Sequence, residues 1–204
     1  MSPAAVLWDA DGVLQRVPDG GEESMRPALE GRVDDLEACL EQAVLAERPA
    51  LAGEVRWLDV LPGLLAGWGI PEAYDDVVRL WLTTEPVDAA RDLVREVRSG
   101  GVACHLASNQ DVHRASYMQE TLGYADLLDG ALYSCALGAA KPDPAYFAAV
   151  LERLGLPAGR VLFLDDRAAN VEVARALGLV AETWSYREDP AALRGHLVRH
   201  GVLS

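Results

Sequence analysis

The stretch Ala4-Ala5-Val6-Leu7-Trp8-Asp9-Ala10-Asp11-Gly12-Val13-Leu14 carries five apolar residues into two carboxylates set two positions apart, with a glycine directly behind them. An unbroken apolar run of this kind reads as a strand buried on both faces, as in a parallel sheet. The pattern recurs: Val102-Ala103-Cys104-His105-Leu106-Ala107 stops at Ser108–Asn109, and Val161-Leu162-Phe163-Leu164 stops at Asp165–Asp166. Helical stretches lie between and after these runs. Leu93, Val94 and Val97 stripe one that stops at Gly100–Gly101. Asp143 caps another with Pro144 at its first position, followed by Phe147, Val150, Leu151 and Leu154 on one face and Gly155 at its end. Val171, Ala174 and Leu177 stripe a third before Gly178, and Asp189–Pro190 opens a terminal helix carrying Leu193 and Leu197. Alternation of strand and helix predicts an α/β fold, a doubly wound Rossmann-like parallel sheet whose ligands gather at the carboxyl ends of the strands.

The stretch from about Val17 to Glu85 breaks the alternation. It is rich in helix formers, and Val33, Leu36, Leu40 and Val44 suggest one amphipathic helix. It reads as a small inserted helical cap at 15–87, with the core formed by 1–14 and 88–204. The chain's 204 residues, 50% of them hydrophobic, suffice for one full core and a small module. Neither end reads as a targeting segment and no long apolar run suggests a membrane span, so the expectation is a soluble, cytoplasmic protein. A formal charge of −14 argues against nucleic acid or an anionic membrane as partner, because like charges repel. An anionic substrate then needs a local cation. Cys39, Cys104 and Cys135 show no metal or redox spacing and read as structural thiols. The four histidines are assigned no role, and oligomeric state is not legible.

The polar clusters all fall at strand ends. Asp9 and Asp11 repel each other unless a cation or shared proton offsets them, and a hard divalent ion such as Mg²⁺ is the simplest resolution. Asp165 and Asp166, with Asn170 near the start of the next helix, end another strand, and neighbouring strand ends lie about 5 Å apart, so both acidic pairs can share one ion. Ser108 and Asn109 offer a hydroxyl and backbone N–H groups to a phosphate oxygen. Lys141, in an extended segment with Pro142 and Pro144, is placed to neutralise a nucleophile and a transferring phosphoryl group.

With these residues in this order, the chain closely resembles the haloacid dehalogenase (HAD) superfamily. The hydrophobic strand and DxDG motif match Asp9 to Gly12, the strand–Ser/Thr motif matches Ser108, and Ser–x3–Gly–x2–Lys–Pro matches Ser134, Gly138, Lys141 and Pro142. The terminal acidic pair matches Asp165 and Asp166. The resemblance implies a Mg²⁺-dependent phosphatase acting on a small phosphorylated metabolite, with Asp9 the catalytic nucleophile, Asp11 the general acid and base, and Lys141 catalytic and phosphate-binding. Ser108 and Asn109 become the further phosphate-binding candidates. The implied metal contacts are the Asp9 side chain, the Asp11 backbone carbonyl and Asp166, with Asp165 binding directly or through water. Asp11 must be protonated for the first step, which its pairing with Asp9 is expected to favour. An aspartate at that position argues for phosphate chemistry over dehalogenation. The branch most resembled is subfamily I with a helical cap, holding sugar-phosphate phosphatases and the phosphatase domains fused to some epoxide hydrolases. A phosphosugar mutase of the same family and a non-catalytic HAD-like binding protein are the alternatives. In the cap, Trp57, Trp68, Trp81 and Tyr74 are candidates for stacking on a sugar ring or for the module's own core, and Arg26, Arg32, Arg48, Arg56 and Arg79 for reaching an anion.

Overall fold

A computed structural model of the chain describes residues 2–18 and 24–204; residue 1 of the expected core and residues 19–23 of the expected cap lie outside them. The strands of the main sheet are β1 (Ala5–Trp8), β4 (Ala103–Ser108), β5 (Gly130–Tyr133), β6 (Val161–Asp165) and β7 (Val180–Thr183). They pair in parallel in the order β5-β4-β1-β6-β7. Two short strands, β2 (Gln15–Arg16) and β3 (Glu85–Pro86), form an antiparallel neck between the sheet and an inserted group of helices. That group is α1 (Arg26–Leu29), α2 (Leu36–Leu51), α3 (Trp57–Gly67) and α4 (Tyr74–Leu82). The remaining helices are α5 (Asp88–Ser99), α6 (Val112–Glu120), α7 (Tyr124–Leu127), α8 (Ser134–Leu137), α9 (Pro144–Leu154), α10 (Ala168–Ala176) and α11 (Pro190–Arg199).

The central strand is apolar throughout because both of its faces are covered. Val6 and Trp8 point into a core with Leu93, Val94 and Val97 of α5, Met118 of α6 and Leu193 and Leu197 of α11. Leu7 points the other way, into a core with Phe147 and Val150 of α9 and Val171 of α10. Period-two alternation thus builds a helix layer on each side, the doubly wound arrangement. Local signals set the helix ends: Asp143 accepts from Ala145 N at 2.8 Å, and Gly155 closes α9 at φ 63°. Leu177 departs from its expected stripe. It lies one residue past α10 and is 39% exposed.

The expected face of the helix in the insertion is also corrected. Asp35 caps α2 by accepting from Ala38 N, so Val33 precedes the helix, and Val44 is 54% exposed. The buried face is Cys39, Leu40, Ala43 and Ala50, packed on Trp57, Leu61 and Leu65 of α3 and Val77 and Trp81 of α4. Small side chains let the helices approach closely, and a search for large apolar residues passes over them. Trp57 and Trp81 are buried in this module's core, with Trp68 and Tyr74 packed against it. Arg26, Arg32 and Arg79 are committed to surface ion pairs with Glu37 and Asp76. Cys39 and Cys104 are buried free thiols and Cys135 is half-buried. His196 and His200 approach Glu182 at 3.6 and 2.7 Å beside Arg175 and Arg199, a network joining α11 to β7. Among the described residues, no helix is long and apolar enough to cross a membrane.

Trp8 stands level with Leu106 of β4 and Leu164 of β6. Chain order reverses on either side of β1, so the residues that follow these three strands emerge together at the sheet's switch point.

Candidate active site

Asp9 leaves the central strand with its carboxylate turned by its neighbour's backbone, Ala10 N donating to Oδ1 at 2.8 Å. Lys141 Nζ meets the same oxygen at 2.8 Å, donates to Asp165 Oδ2 at 2.6 Å and donates to the Ala107 carbonyl at 2.7 Å. Its three protons therefore have three acceptors, and its side chain is 2% exposed. The Lys141 backbone is held just as firmly. Asn109 Nδ2 donates to Lys141 O and Lys141 N donates to Asn109 Oδ1, both at 2.8 Å. The Asn109 amide is thus spent on positioning the lysine, which leaves its backbone N–H as the group it can offer to a phosphate oxygen.

The two acids at the end of β6 divide their work. Asp165 is fully buried and accepts from Lys141, from Asn170 Nδ2 on both of its oxygens at 2.9 and 3.0 Å, and from Arg167 N at 2.8 Å. Asn170, from the first turn of α10, supports Asp165. Asp166 is the open acid: its Oδ1 is buried without a hydrogen-bond partner. Carboxylate oxygens of Asp9, Asp165 and Asp166 all lie within 4.8 Å of one another. Three carboxylates share one ammonium, and the shortage of positive charge shows on both sides. Burial, then Asp165, push the Asp9 carboxyl well above its usual range, and burial and Asp165 also raise Asp166. Burial works against the charged lysine, but Asp9 and Asp165 outweigh it and raise Lys141. An oxygen-only donor set with an orphaned buried carboxylate oxygen fits a hard divalent cation such as Mg²⁺.

Asp11 points elsewhere, which corrects the expectation of an Asp9–Asp11 acid pair. Arg114 grips it with two bonds, Nη1 to Oδ2 at 2.8 Å and Nη2 to Oδ1 at 3.0 Å. Gln15 Nε2 donates to Oδ1 and Gln110 Nε2 to Oδ2, both at 2.8 Å. Gln110 also donates to Ser108 Oγ at 3.0 Å and accepts from Arg114, while Tyr124 donates to Gln15 Oε1 at 2.9 Å. Burial raises the Asp11 carboxyl, but Arg114 and the two amides prevail and hold it at about 2. Ser108 is buried at this junction, and Ser134 Oγ accepts from Gln110 N at 3.0 Å, tying the β4 turn to the start of α8. Arg114, Gln110, Gln15 and Tyr124 were not singled out in the sequence. One signal was present: Arg114 stands in the first turn of α6, where the helix dipole disfavours a cation, so its place there asks for a partner.

Gly12 makes the close approach possible. At φ 88° it occupies the left-handed region, and an added Cβ would lie 2.3 Å from Asp166 Oδ2. Gly12→Ala is expected to cost about 1–2 kcal/mol in backbone strain and to lower kcat by about 10²-fold by displacing Asp166. Calorimetry and steady-state kinetics on one preparation check both; turnover unchanged in G12A would show that Asp166 is not held through this contact.

A switch-point cluster of carboxylates around a buried lysine, facing an inserted helical module, defines a hydrolase-type site on a doubly wound sheet. Residues 3–178 match the model of the haloacid dehalogenase-like hydrolases, and the chain belongs to that family. It is 29% identical to a phosphatase of Mycobacterium tuberculosis, covering 89% of this chain and 87% of the relative. It is 28% identical to a phosphoglycolate phosphatase of Rhodospirillum rubrum, covering 96% and 86%. A HAD family enzyme of Bacteroides thetaiotaomicron, solved in complex with magnesium and inorganic phosphate, superposes with TM-score 0.76 at 22% identity, over 93% of this chain and 98% of that one.

Proposed function

We propose that the chain is a Mg²⁺-dependent phosphatase that hydrolyses a small phosphorylated metabolite, a sugar phosphate in the finer reading, through an aspartyl-phosphate on Asp9. The observation that carries this reading is the buried Asp9 carboxylate, touched by Lys141 and facing the unpartnered Asp166 oxygen. The domain reading follows the neck, with 15–87 as the cap and 1–14 with 88–204 as the core.

In this reading Asp9 and Asp166, with the Asp11 backbone carbonyl, hold the cation. Asp165 serves by fixing Lys141. Bound Mg²⁺ supplies screening of the charge on phosphate and nucleophile. Asp9 attacks phosphorus while Ser108 Oγ and the Asn109 backbone N–H hold phosphate oxygens and the charge of the Lys141 ammonium, its protons on Asp9, Asp165 and the Ala107 carbonyl, offsets theirs, and the ester P–O bond breaks. Asp11 gives a proton to the leaving oxygen, then accepts one from the water that releases phosphate from Asp9. At rest Arg114, Gln15 and Gln110 hold Asp11 ionised, the form suited to the second step. Its action as an acid requires the arriving ester, bound as its monoanion, to displace part of that grip and hand Asp11 the proton it then gives to the leaving oxygen.

The test is phosphate release from an aryl phosphate, sugar phosphates and phosphoglycolate with and without Mg²⁺. Metal-dependent release from at least one ester is expected; none from any ester would sink the reading.

Metal binding also has a signature independent of turnover. Asp9 and Asp166 bind protons more tightly folded than unfolded, so the stability tied to their protonated forms is present below their raised pKa values and lost as pH rises through them. Mg²⁺ should therefore raise Tm, with a gain that shrinks as pH falls through the raised pKa values of Asp9 and Asp166, already above the ordinary carboxylate range of about 4. Asp166→Asn should raise the metal-free Tm and remove most of the Mg²⁺ gain. Thermal melts across pH 4–8 decide; an undiminished gain in D166N would place the ion elsewhere.

A further inference from the structure

Gln110 lies two residues past the end of β4 and is 2% exposed. Ser134, which opens α8, fixes its backbone: Ser134 Oγ accepts from Gln110 N at 3.0 Å and donates to Gln110 O at 3.3 Å. Its side-chain amide stands among three partners. Arg114 Nη1 donates to Oε1 at 2.9 Å, while Nε2 donates to Asp11 Oδ2 at 2.8 Å and to Ser108 Oγ at 3.0 Å. The partners decide which way the amide faces. A guanidinium can only donate, so the amide oxygen must meet Arg114, and both amide protons are then turned to Asp11 and Ser108. Among the described residues, no other side chain hydrogen-bonds both of these groups.

The Ser108 hydroxyl has one proton to place. Its oxygen already accepts from Gln110, so that proton is turned away from the amide. Among the described residues, no group accepts it. Ser108 is 1% exposed, and a buried O–H without an acceptor is costly unless a ligand supplies one. Ser108 also directly follows Ala107, whose carbonyl anchors Lys141, at the end of the strand beside β1. A phosphoryl oxygen, which only accepts, completes this hydroxyl.

We propose that Gln110 is a positioning residue for the phosphatase reaction: oriented by Arg114, its amide occupies the acceptor side of Ser108 Oγ and aims the Ser108 proton at a phosphoryl oxygen. The inference rests on the phosphatase reading of Asp9. Gln110 makes and breaks no bond to phosphorus and acts through Ser108. With a side chain that lacks the N–H, the hydroxyl is free to turn. With a carboxylate in its place, the proton turns to that carboxylate and is lost to phosphate.

The experiment measures the inhibition constant of inorganic phosphate against an aryl phosphate at saturating Mg²⁺ in the wild type, Q110M, Q110E, S108A and the double variant S108A/Q110M. Methionine keeps the length without the N–H, and glutamate keeps the shape while offering acceptors. Q110M and S108A should each weaken phosphate by about tenfold, the scale of one hydrogen bond to a charged group, and Q110E by at least as much. The double variant should bind phosphate within about twofold of S108A, because the amide then has no hydroxyl left to aim. A Gln110 that only packs would add its loss to that of S108A, giving about a hundredfold. Thermal melts establish that folded proteins are compared, and if Q110M does not fold, S108A/Q110E completes the same cycle. A phosphate constant unchanged in Q110M, or additive losses in the double variant, overturns the proposal while aryl phosphate turnover by the wild type leaves the phosphatase reading standing. No release from any ester, the aryl phosphate included, overturns both.

Discussion

Asp9→Asn is expected to lower kcat on an aryl phosphate by about 10⁴-fold or more, the scale seen when a nucleophile is removed from a site whose parts act as a unit. The amide keeps the shape of the carboxylate but cannot form the bond to phosphorus. The fold should survive, because the substitution removes the charge of one of three carboxylates crowded within 4.8 Å. Lys141 retains Asp165 and the Ala107 carbonyl as acceptors. The metal-free protein should melt no lower than the wild type, which separates loss of chemistry from loss of structure. Phosphate release by D9N within tenfold of wild type would mean that Asp9 is not the nucleophile.

Lys141→Ala should fail in a different way. The ammonium touches both Asp9 and Asp165, and its removal leaves these buried carboxylates facing one another beside Asp166. Breaking a buried pair on one side costs about 3–5 kcal/mol, which for a chain of this size lowers Tm by roughly 10 °C. Turnover should fall by about 10³-fold as well, since nothing then neutralises the phosphoryl oxygens. Lys141→Arg should rescue neither, because a planar guanidinium cannot place its protons on Asp9, Asp165 and the Ala107 carbonyl in the space of an ammonium. Added Mg²⁺ should recover part of the lost stability and little of the turnover. A K141A protein that melts with the wild type would show that the three acids are not charged together in the folded state.

The strands and their chemistry were legible because each signal is local. Val6, Leu7 and Trp8 announce a strand buried on both faces, and Asp143–Pro144 with Gly155 marks both ends of α9. Asp9, Asp165 and Asp166 stand out because each ends such a run, and Lys141 because prolines stiffen its segment just before α9. The face of α2 was misplaced because Cys39, Ala43 and Ala50 bury little area each and were outweighed by Val33 and Val44. Arg114 and Gln110 escaped notice because their partner, Asp11, lies 103 and 99 positions away.

The sequence by itself determined the parallel sheet, the inserted helices, and the order in which carboxylate, hydroxyl, lysine and acidic pair arrive at the strand ends. Periodicity and turn chemistry report burial residue by residue, and that is enough to place a side chain at an edge. Only the tertiary structure decided the pairings: Asp9 toward Lys141 and Asp11 toward Arg114, Asp165 saturated and Asp166 open, and Asn109 on the lysine backbone. The reason is geometric. Which lone pair meets which donor depends on the side-by-side placement of β4, β1 and β6 and on the seating of the helical module, and these distances are set by packing between segments far apart in the chain.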